Sequence, residues 1–391
     1  MQIIRGKKLK QIFTDHWEPF VKKHPNLRPA IHKNVGKMLR CGTDEMGFHL
    51  YQCPSCKEEK KVFHTCKSRF CSSCGIAQTK RWIQQYEVLF ANVQYRHVIF
   101  HPPSEFRPYF GLGKNVYYNM LYTTVHQTLR DWYQRKGYLP GIMAVMHTFG
   151  RDEKFTPHIH VLMTAGGLST SYSQWLADDF LPYPFFKKHF KNHFLENIHM
   201  LWIQQKMDSI PVSLRFLFTP LYQNKIVQKL INVTWYVYIG EKLANAYFTI
   251  KYIARYTKRP PIAESRISGY DGCNVTFNFV DHKTERHTVL TLPVEEFIGK
   301  LIRHIPDENF RVVRYYGFYA HRVRGKLLPK VFSLLGQSYA KAKDELTHLG
   351  SWWRQQLQLF TKLDPLMCSI CFLPMTLASV VYCTKRWDSY G

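Results

Sequence analysis

Apolar positions in this chain follow two rhythms. In some stretches they recur every third or fourth residue, as on a helix with one buried stripe, and in others they alternate or run unbroken, as on strands. The opening residues predict an amphipathic basic helix. Ile76 to Phe90 predicts another, with Ile76, Ile83 and Leu89 apolar among Lys, Arg and Gln. Tyr95 to Phe100 reads as a strand ended by His101-Pro102-Pro103, and Val116 to Tyr133 as a helix. Gly141 to Phe149 and Ile159 to Thr164 are two further strands, expected to pair across a turn near Gly150-Arg151-Asp152.

Tyr172 to Gln228 reads as mostly helical, including a stretch from Phe185 to Gln205 rich in Lys, His and Phe. Trp235 to Ile239 follows as a fourth strand, then a helix from Asn245 to Lys258 stopped by Pro260-Pro261. Val275 to Val280 and Arg286 to Leu292 predict a hairpin over Asp281-His282-Lys283. The remainder reads as helical, with a basic crest at Arg322, Arg324 and Lys326. There is no internal repeat and no low-complexity linker. Strands with helices between them, largely antiparallel, give an α+β class.

Composition narrows the function. The chain has 391 residues, 45% of them hydrophobic, enough for two or three domains with cores. Lys and Arg number 54 against 28 Asp and Glu, a formal net charge of +26 that calls for a polyanionic partner. Aromatic residues reach 15% and alternate with basic ones in Arg311-Val312-Val313-Arg314-Tyr315-Tyr316-Gly317-Phe318-Tyr319. Stacking rings beside phosphate-binding cations is how single nucleic-acid strands are held, although many such rings also serve as core. No Walker-type Gly-Lys-Ser/Thr loop is present, so nucleotide hydrolysis is not expected to drive the chemistry.

Met1 to Lys10 is basic without a long apolar stretch, and Phe372 to Val381 is too short to span a bilayer. The expected location is the cytoplasm, with no membrane partner. Cysteines kept reduced there are better explained by metal than by disulfides. Cys41, Cys53, Cys56, Cys66, Cys71 and Cys74 cluster early, and Cys53/Cys56 and Cys71/Cys74 are Cys-x-x-Cys pairs. Two such pairs suit one closed structural zinc site. Cys41, His49, His64 and Cys66 could hold a second ion, or Cys66 could replace a member of the first. A third pair, Cys368 and Cys371, either borrows ligands from elsewhere or packs as small hydrophobes.

The chemistry-bearing run is Thr156-Pro157-His158-Ile159-His160. Pro157 favours an extended approach, and residues two apart on a strand share a face. His158 and His160 can therefore grip one divalent cation while Ile159 turns to the opposite layer. His147, on the paired strand, is the first choice for a third ligand, with Asp152 and Glu153 as rivals. On the helix from Asn245, Tyr252 and Tyr256 lie four apart and present two phenols on one face. A phenol ionises near a pH of about 10, so a cation close by is needed to favour attack. Lys251, Arg255, Lys258 and Arg259 flank these tyrosines and would neutralise phosphates, unless they are solvated helix charges. Each pattern alone is commonly structural; together they make a strand-transfer site.

Five blocks occur in order: TCKSRFCSSC, YRHVIFHPP, MHTFGRDEKFTPHIHVLMTAGGL, YIARYTKRPPIAESRI and VRYYGFYAHRVRGKLLPK. From about Lys33 to about Pro374 the chain resembles the two-tyrosine HUH transposases of the insertion-sequence-91 family, rolling-circle enzymes of bacterial mobile elements. The resemblance implies an HUH-type antiparallel central sheet with flanking helices. It also implies a catalytic Mg or Mn held by His158 and His160, nucleophiles Tyr252 and Tyr256, and single-stranded DNA at element ends and target as substrate. Arg322 and Arg324 are expected to contact that DNA. One strand would be nicked, its 5′ phosphate kept on tyrosine, and a 3′ hydroxyl released.

The expected domains are a zinc-binding DNA-recognition part at 1–90 and a catalytic part at 91–265 with a helical insertion about 170–230. A hairpin with a mainly helical basic region follows at 266–391. The turn Arg151-Asp152-Glu153-Lys154 mixes charges in a way that leaves its role toward the metal open. A replication initiator or relaxase would use the same chemistry, and a non-enzymatic zinc-finger DNA binder would use none of it.

Overall fold

Five apolar side chains of the opening helix, α1 (Lys8–Lys23), fall on one stripe and are buried: Leu9, Ile12, Phe13, Trp17 and Phe20. A second helix, α2 (Pro29–Arg40), starts on a proline whose missing N–H costs nothing there, and buries Ile31, Val35 and Met38. A small hairpin, β1 (Gly47–Gln52) with β2 (Glu59–Phe63), and the helix α3 (Ser72–Leu89) follow. The computed structural model describes residues 8–382 except 113, 151–153, 179, 205–211, 245–246, 248–249, 252, 255–260, 281–284, 348–353, 355–357 and 359–363.

The larger sheet is built from β3 (Tyr95–His101), β4 (Tyr138–Phe149), β5 (Phe155–Ser169), β7 (Tyr236–Leu243) and β11 (Val313–Gly317). Between them come α4 (Arg107–Leu112), α5 (Lys114–Arg135), the short β6 (Trp175–Ala177) beside β5, α6 (Tyr183–Gln204) and α7 (Pro220–Asn232). The order is β11-β4-β5-β3-β7, with every pairing antiparallel. Register sorts the side chains. Phe100 opposes Ile159 and Val98 opposes Val161, and these join Ile142, Ala144, Met146, Met163 and Val237 on one apolar face. That face packs on the buried rows of α5 (Tyr118, Leu121, Tyr122, Val125) and α6 (Phe186, Phe190, Phe194). A one-residue slip would turn the whole set to the wrong side.

Two compact units result, neither of them continuous in sequence. The described parts of 90–257 and 306–339 make the sheet unit, and those of 1–89, 258–305 and 340–391 make the other. In the latter, β8 (Ile267–Tyr270), β9 (Asn274–Val280) and β10 (His287–Pro293) form a three-stranded sheet followed by a helix at Val294–Ile302. Ile267, Val275, Phe277, Phe297 and Leu301 share one core with α1 and α2. Glu264 ties the layers further, accepting hydrogen bonds from the Leu9 amide (3.3 Å) and the Ser72 hydroxyl (2.7 Å).

The expectation that everything after the hairpin is helical is corrected by two strands. β11 closes one edge of the larger sheet, and β12 (Thr376–Tyr382) pairs with β1. Both are short edge strands whose polar and aromatic residues mask the alternation. Much of the basic–aromatic run at 311–319 is core rather than a stacking surface. Phe318 and Tyr319 are buried, and the Tyr319 hydroxyl meets Tyr95 Oη at 2.7 Å and accepts from the Ala91 amide. Arg314 lies over the Tyr122 ring, 4.0 Å from its centroid. Gly317 ends β11 with φ of 61°, where a Cβ would collide with the Pro140 carbonyl.

Candidate functional site

The face of the sheet opposite the apolar core carries five histidines. His147 on β4 pairs directly with His158 on β5, and His160 sits two residues along the same strand. His147 Nδ1 lies 3.1 Å from His158 Nε2, which lies 3.0 Å from His160 Nε2. Ligands about 2.1 Å from a small divalent ion and at right angles to one another are about 3.0 Å apart, so the three nitrogens fit three adjacent positions of such an ion. Imidazole donors suit Mn, Zn or their neighbours, and three protein ligands leave positions for substrate.

Surrounding groups prepare the nitrogens for this task. The His158 Nδ1–H donates to the Thr156 carbonyl, which leaves Nε2 with its lone pair facing the cluster. His97 Nε2 lies 2.9 Å from His160 Nδ1 and orients that ring in the same way, while His101 stacks on His158 at 5.2 Å. Desolvation and the His101 ring push His158 down to about 3, and desolvation with His158 beside it puts His160 well below the usual imidazole range. Desolvation likewise lowers His97 to about 4. At neutral pH these rings are uncharged and available to a cation.

The tyrosine helix is described only in part. Tyr247, Ile250, Lys251, Ile253 and Ala254 are helical, and Ile250, Ile253 and Ala254 are buried, the spacing of one inward stripe. Lys251 is exposed, with its ammonium 5.5 Å from the Tyr247 ring centroid. Tyr252, Tyr256, Arg255, Lys258 and Arg259 lie outside the described residues, as do Asp152 and Glu153. Arg322 is exposed and Arg324 half-buried on a helix at His321–Leu334.

Sequence reasoning passed over five residues around the His147, His158 and His160 cluster. His97 and His101 alternate with Ile99 on β3, a period-two signal on the same face as His160. Tyr236 and Tyr238 on the edge strand β7 share that face and are 66% and 58% exposed, with the Tyr238 ring 6.3 Å from His97. Arg107, opening α4, is close enough for its charge to lower both His101 and His158 after desolvation has done so.

The cysteines sort into two tetrads, not the single one expected from Cys53, Cys56, Cys71 and Cys74. Cys71 and Cys74 gather with Cys41 and Cys66, and Cys53 and Cys56 gather with Cys368 and Cys371. In the first, Cys74 Sγ lies 3.5 Å from Cys41 and 3.6 Å from Cys66. In the second, Cys53 meets Cys371 at 3.2 Å, and Cys56 meets Cys368 at 3.4 Å. Four thiolates on one zinc are about 3.8 Å apart, close to these spacings. The pairs separate because β12 docks on β1 and carries Cys368 and Cys371 to the knuckle that follows β1. Hydrogen bonds from Cys66, Cys71 and Cys74 hold the Cys41 thiol far below its ordinary range, while Cys41 pushes Cys66 far above it. Four sulfurs this close cannot all ionise without a cation. His49 and His64 face each other instead, 3.0 Å apart.

Comparison with known proteins finds two family matches in order along the chain. Residues 12–101 match a family described as "Transposase zinc-binding domain", which with the two tetrads supports structural zinc. Residues 141–326, which include β4, β5 and the histidine cluster, match a family described as "Putative transposase". The chain is 28% identical over 380 residues to the "Transposase for insertion sequence element IS801" of Pseudomonas savastanoi pv. phaseolicola, covering 95% of this chain and 90% of that one. It is 26% identical over 373 residues to "Putative transposase y4qJ" of Sinorhizobium fredii (strain NBRC 101917 / NGR234), covering 94% and 93%. No solved structure matches. Among the described residues no helix is long and apolar enough to cross a membrane. With both profiles in order and these relatives matched along almost their full length, the chain belongs to the insertion-sequence-91 family of transposases and carries its N-terminal zinc-binding domain.

Proposed function

We propose that this transposase cleaves and rejoins single DNA strands at insertion-sequence ends through 5′-phosphotyrosine esters, in a rolling-circle scheme. The observation that carries the reading is the convergence of His147 Nδ1, His158 Nε2 and His160 Nε2 on one point of a rigid sheet. A bound Mg or Mn ion would polarise the scissile phosphate and neutralise its non-bridging oxygens. Arg107 and the exposed Lys251 add positive charge for the flanking phosphates, and Arg322 and Arg324 extend it. Tyr236 and Tyr238 offer two exposed rings on which unpaired bases stack.

In the chemical step a phenol oxygen of Tyr252 or Tyr256 loses its proton and attacks phosphorus. The phosphorus–O3′ bond breaks, the O3′ takes a proton, and the 5′ phosphate stays on tyrosine. Because the ester keeps the energy of the broken linkage, a 3′ hydroxyl can later reverse the exchange without nucleotide hydrolysis. The second tyrosine allows a second cleavage while the first ester persists. Of the cysteine tetrads, Cys41/Cys66/Cys71/Cys74 and Cys53/Cys56/Cys368/Cys371 would each hold one zinc, shaping the surface that recognises the element end.

A single-stranded oligonucleotide carrying the end of the flanking element tests this. Wild-type protein with Mn should give a protein–DNA adduct that survives boiling. Tyr252→Phe and Tyr256→Phe should each reduce strand transfer, and the double variant should form no adduct. An adduct of undiminished yield in the double variant would remove these residues from the mechanism.

A further inference from the structure

On the helical side of the sheet, away from the five histidines, a separate group of ligating side chains joins α5 to α6. Asp131 of α5 faces His189 and His193 of α6: its Oδ2 lies 2.8 Å from His189 Nδ1 and 2.6 Å from His193 Nε2. The three ligating atoms are all within 4.8 Å of one another. His189 and His193 are four apart, so both rings leave the same side of the helix. The Phe185 ring stacks on His189 at 3.9 Å between centroids and fixes its plane.

Glu196 gives the group its direction. Its Oε2 lies 3.2 Å from His193 Nδ1, one turn along the same helix. An ionised carboxylate only accepts, so with a cation between Nε2 and Asp131, Glu196 takes the hydrogen bond from the proton left on Nδ1. Carboxylate–histidine–metal relays have this arrangement.

We propose that Asp131, His189 and His193 form a further metal site, taking a zinc-class divalent cation between α5 and α6. Two imidazoles and one carboxylate suit zinc, cobalt or nickel. The side chains of Asp131, His189 and His193 are 26%, 33% and 19% exposed, which leaves an entry path and a fourth position for water. The ion clamps the helical layer that supports β4 and β5 from behind. One turn further along, Asn197 does the same work with hydrogen bonds to Thr124 and Gln127. Lying across the sheet from His158 and His160, the site acts on the support and not on the scissile phosphate.

Metal counting on the full-length chain decides the point. The protein is saturated with zinc, dialysed against metal-free buffer and analysed by plasma mass spectrometry, beside His189→Ala/His193→Ala and the milder His193→Gln. Each variant should hold about one metal equivalent per chain less than wild type. Cobalt substitution should show the loss of a d–d band with no accompanying loss of sulfur charge-transfer intensity. Added zinc should raise the melting temperature of metal-stripped wild type by more than that of His193→Gln. Equal metal content and unchanged cobalt spectra in all three proteins would overturn the proposal and leave the group as a hydrogen-bonded seam.

Discussion

The sulfur tetrads and the histidine cluster gather their ligating atoms in opposite ways. The histidine ligands come from one hairpin, with His147 and His158 directly paired and His160 two residues on. Beneath them runs the buried face of Ile142, Ala144, Ile159 and Val161. The fold alone makes that cluster, so a cation there would meet a surface already shaped. The Cys53 tetrad instead lies at the end of a hairpin whose β2 is mostly exposed, and it joins sulfurs 312 residues apart in Cys56 and Cys368. Its buried company is little more than Met375. So small a core leaves the metal to supply the folding energy.

Chelation should break the comparison most visibly if it is wrong. Stripping zinc is expected to remove hydrogen-exchange protection from β1, β2 and β12 while β4 and β5 stay protected; equal loss in both places would contradict it. A sharper version separates the tetrads. Cys53→Ser and Cys368→Ser should lose the same ion, about half of the sulfur-bound zinc, and Cys41→Ser and Cys71→Ser the other. Loss of one shared ion in Cys53→Ser and Cys71→Ser would restore the single four-thiol site.

Smaller effects are expected on the histidine side, because the sheet stands without its metal. His97→Gln should weaken Mn binding about 10- to 100-fold with an unchanged melting temperature, read by titration calorimetry. Smallest should be Tyr238→Ala, costing about 1–3 kcal/mol per stacked base in single-strand binding by fluorescence anisotropy. An unchanged affinity would mean that DNA takes another path over the sheet.

What could be read from the chain follows the same divide. His158 and His160 were legible because a strand repeats every two residues, and His147 because two predicted strands flank a turn. The strands β3, β4, β5 and β7 were legible from the same local pattern, and the amphipathic α1 from the helical one. The partnership of Cys53 with Cys371 was not, since it depends on β12 pairing with β1 across nearly the whole chain, and no local period encodes that. Nor was the joining of 258–305 to the opening helices, which rests on Phe277 and Phe297 finding the core of α1. The aromatic run near Tyr319 misled because a ring in a core and a ring in a groove look alike in sequence.

Strand nicking across a manganese titration, with DNA binding followed in parallel, tests the role of the histidine cluster most directly. Wild type is expected to nick a single-stranded element end only with the ion present. His158→Ala/His160→Ala should fail to nick at every concentration while binding the same DNA and melting at the same temperature. Wild-type nicking in EDTA, or nicking by the double variant at the wild-type rate, would contradict a catalytic cation at those imidazoles.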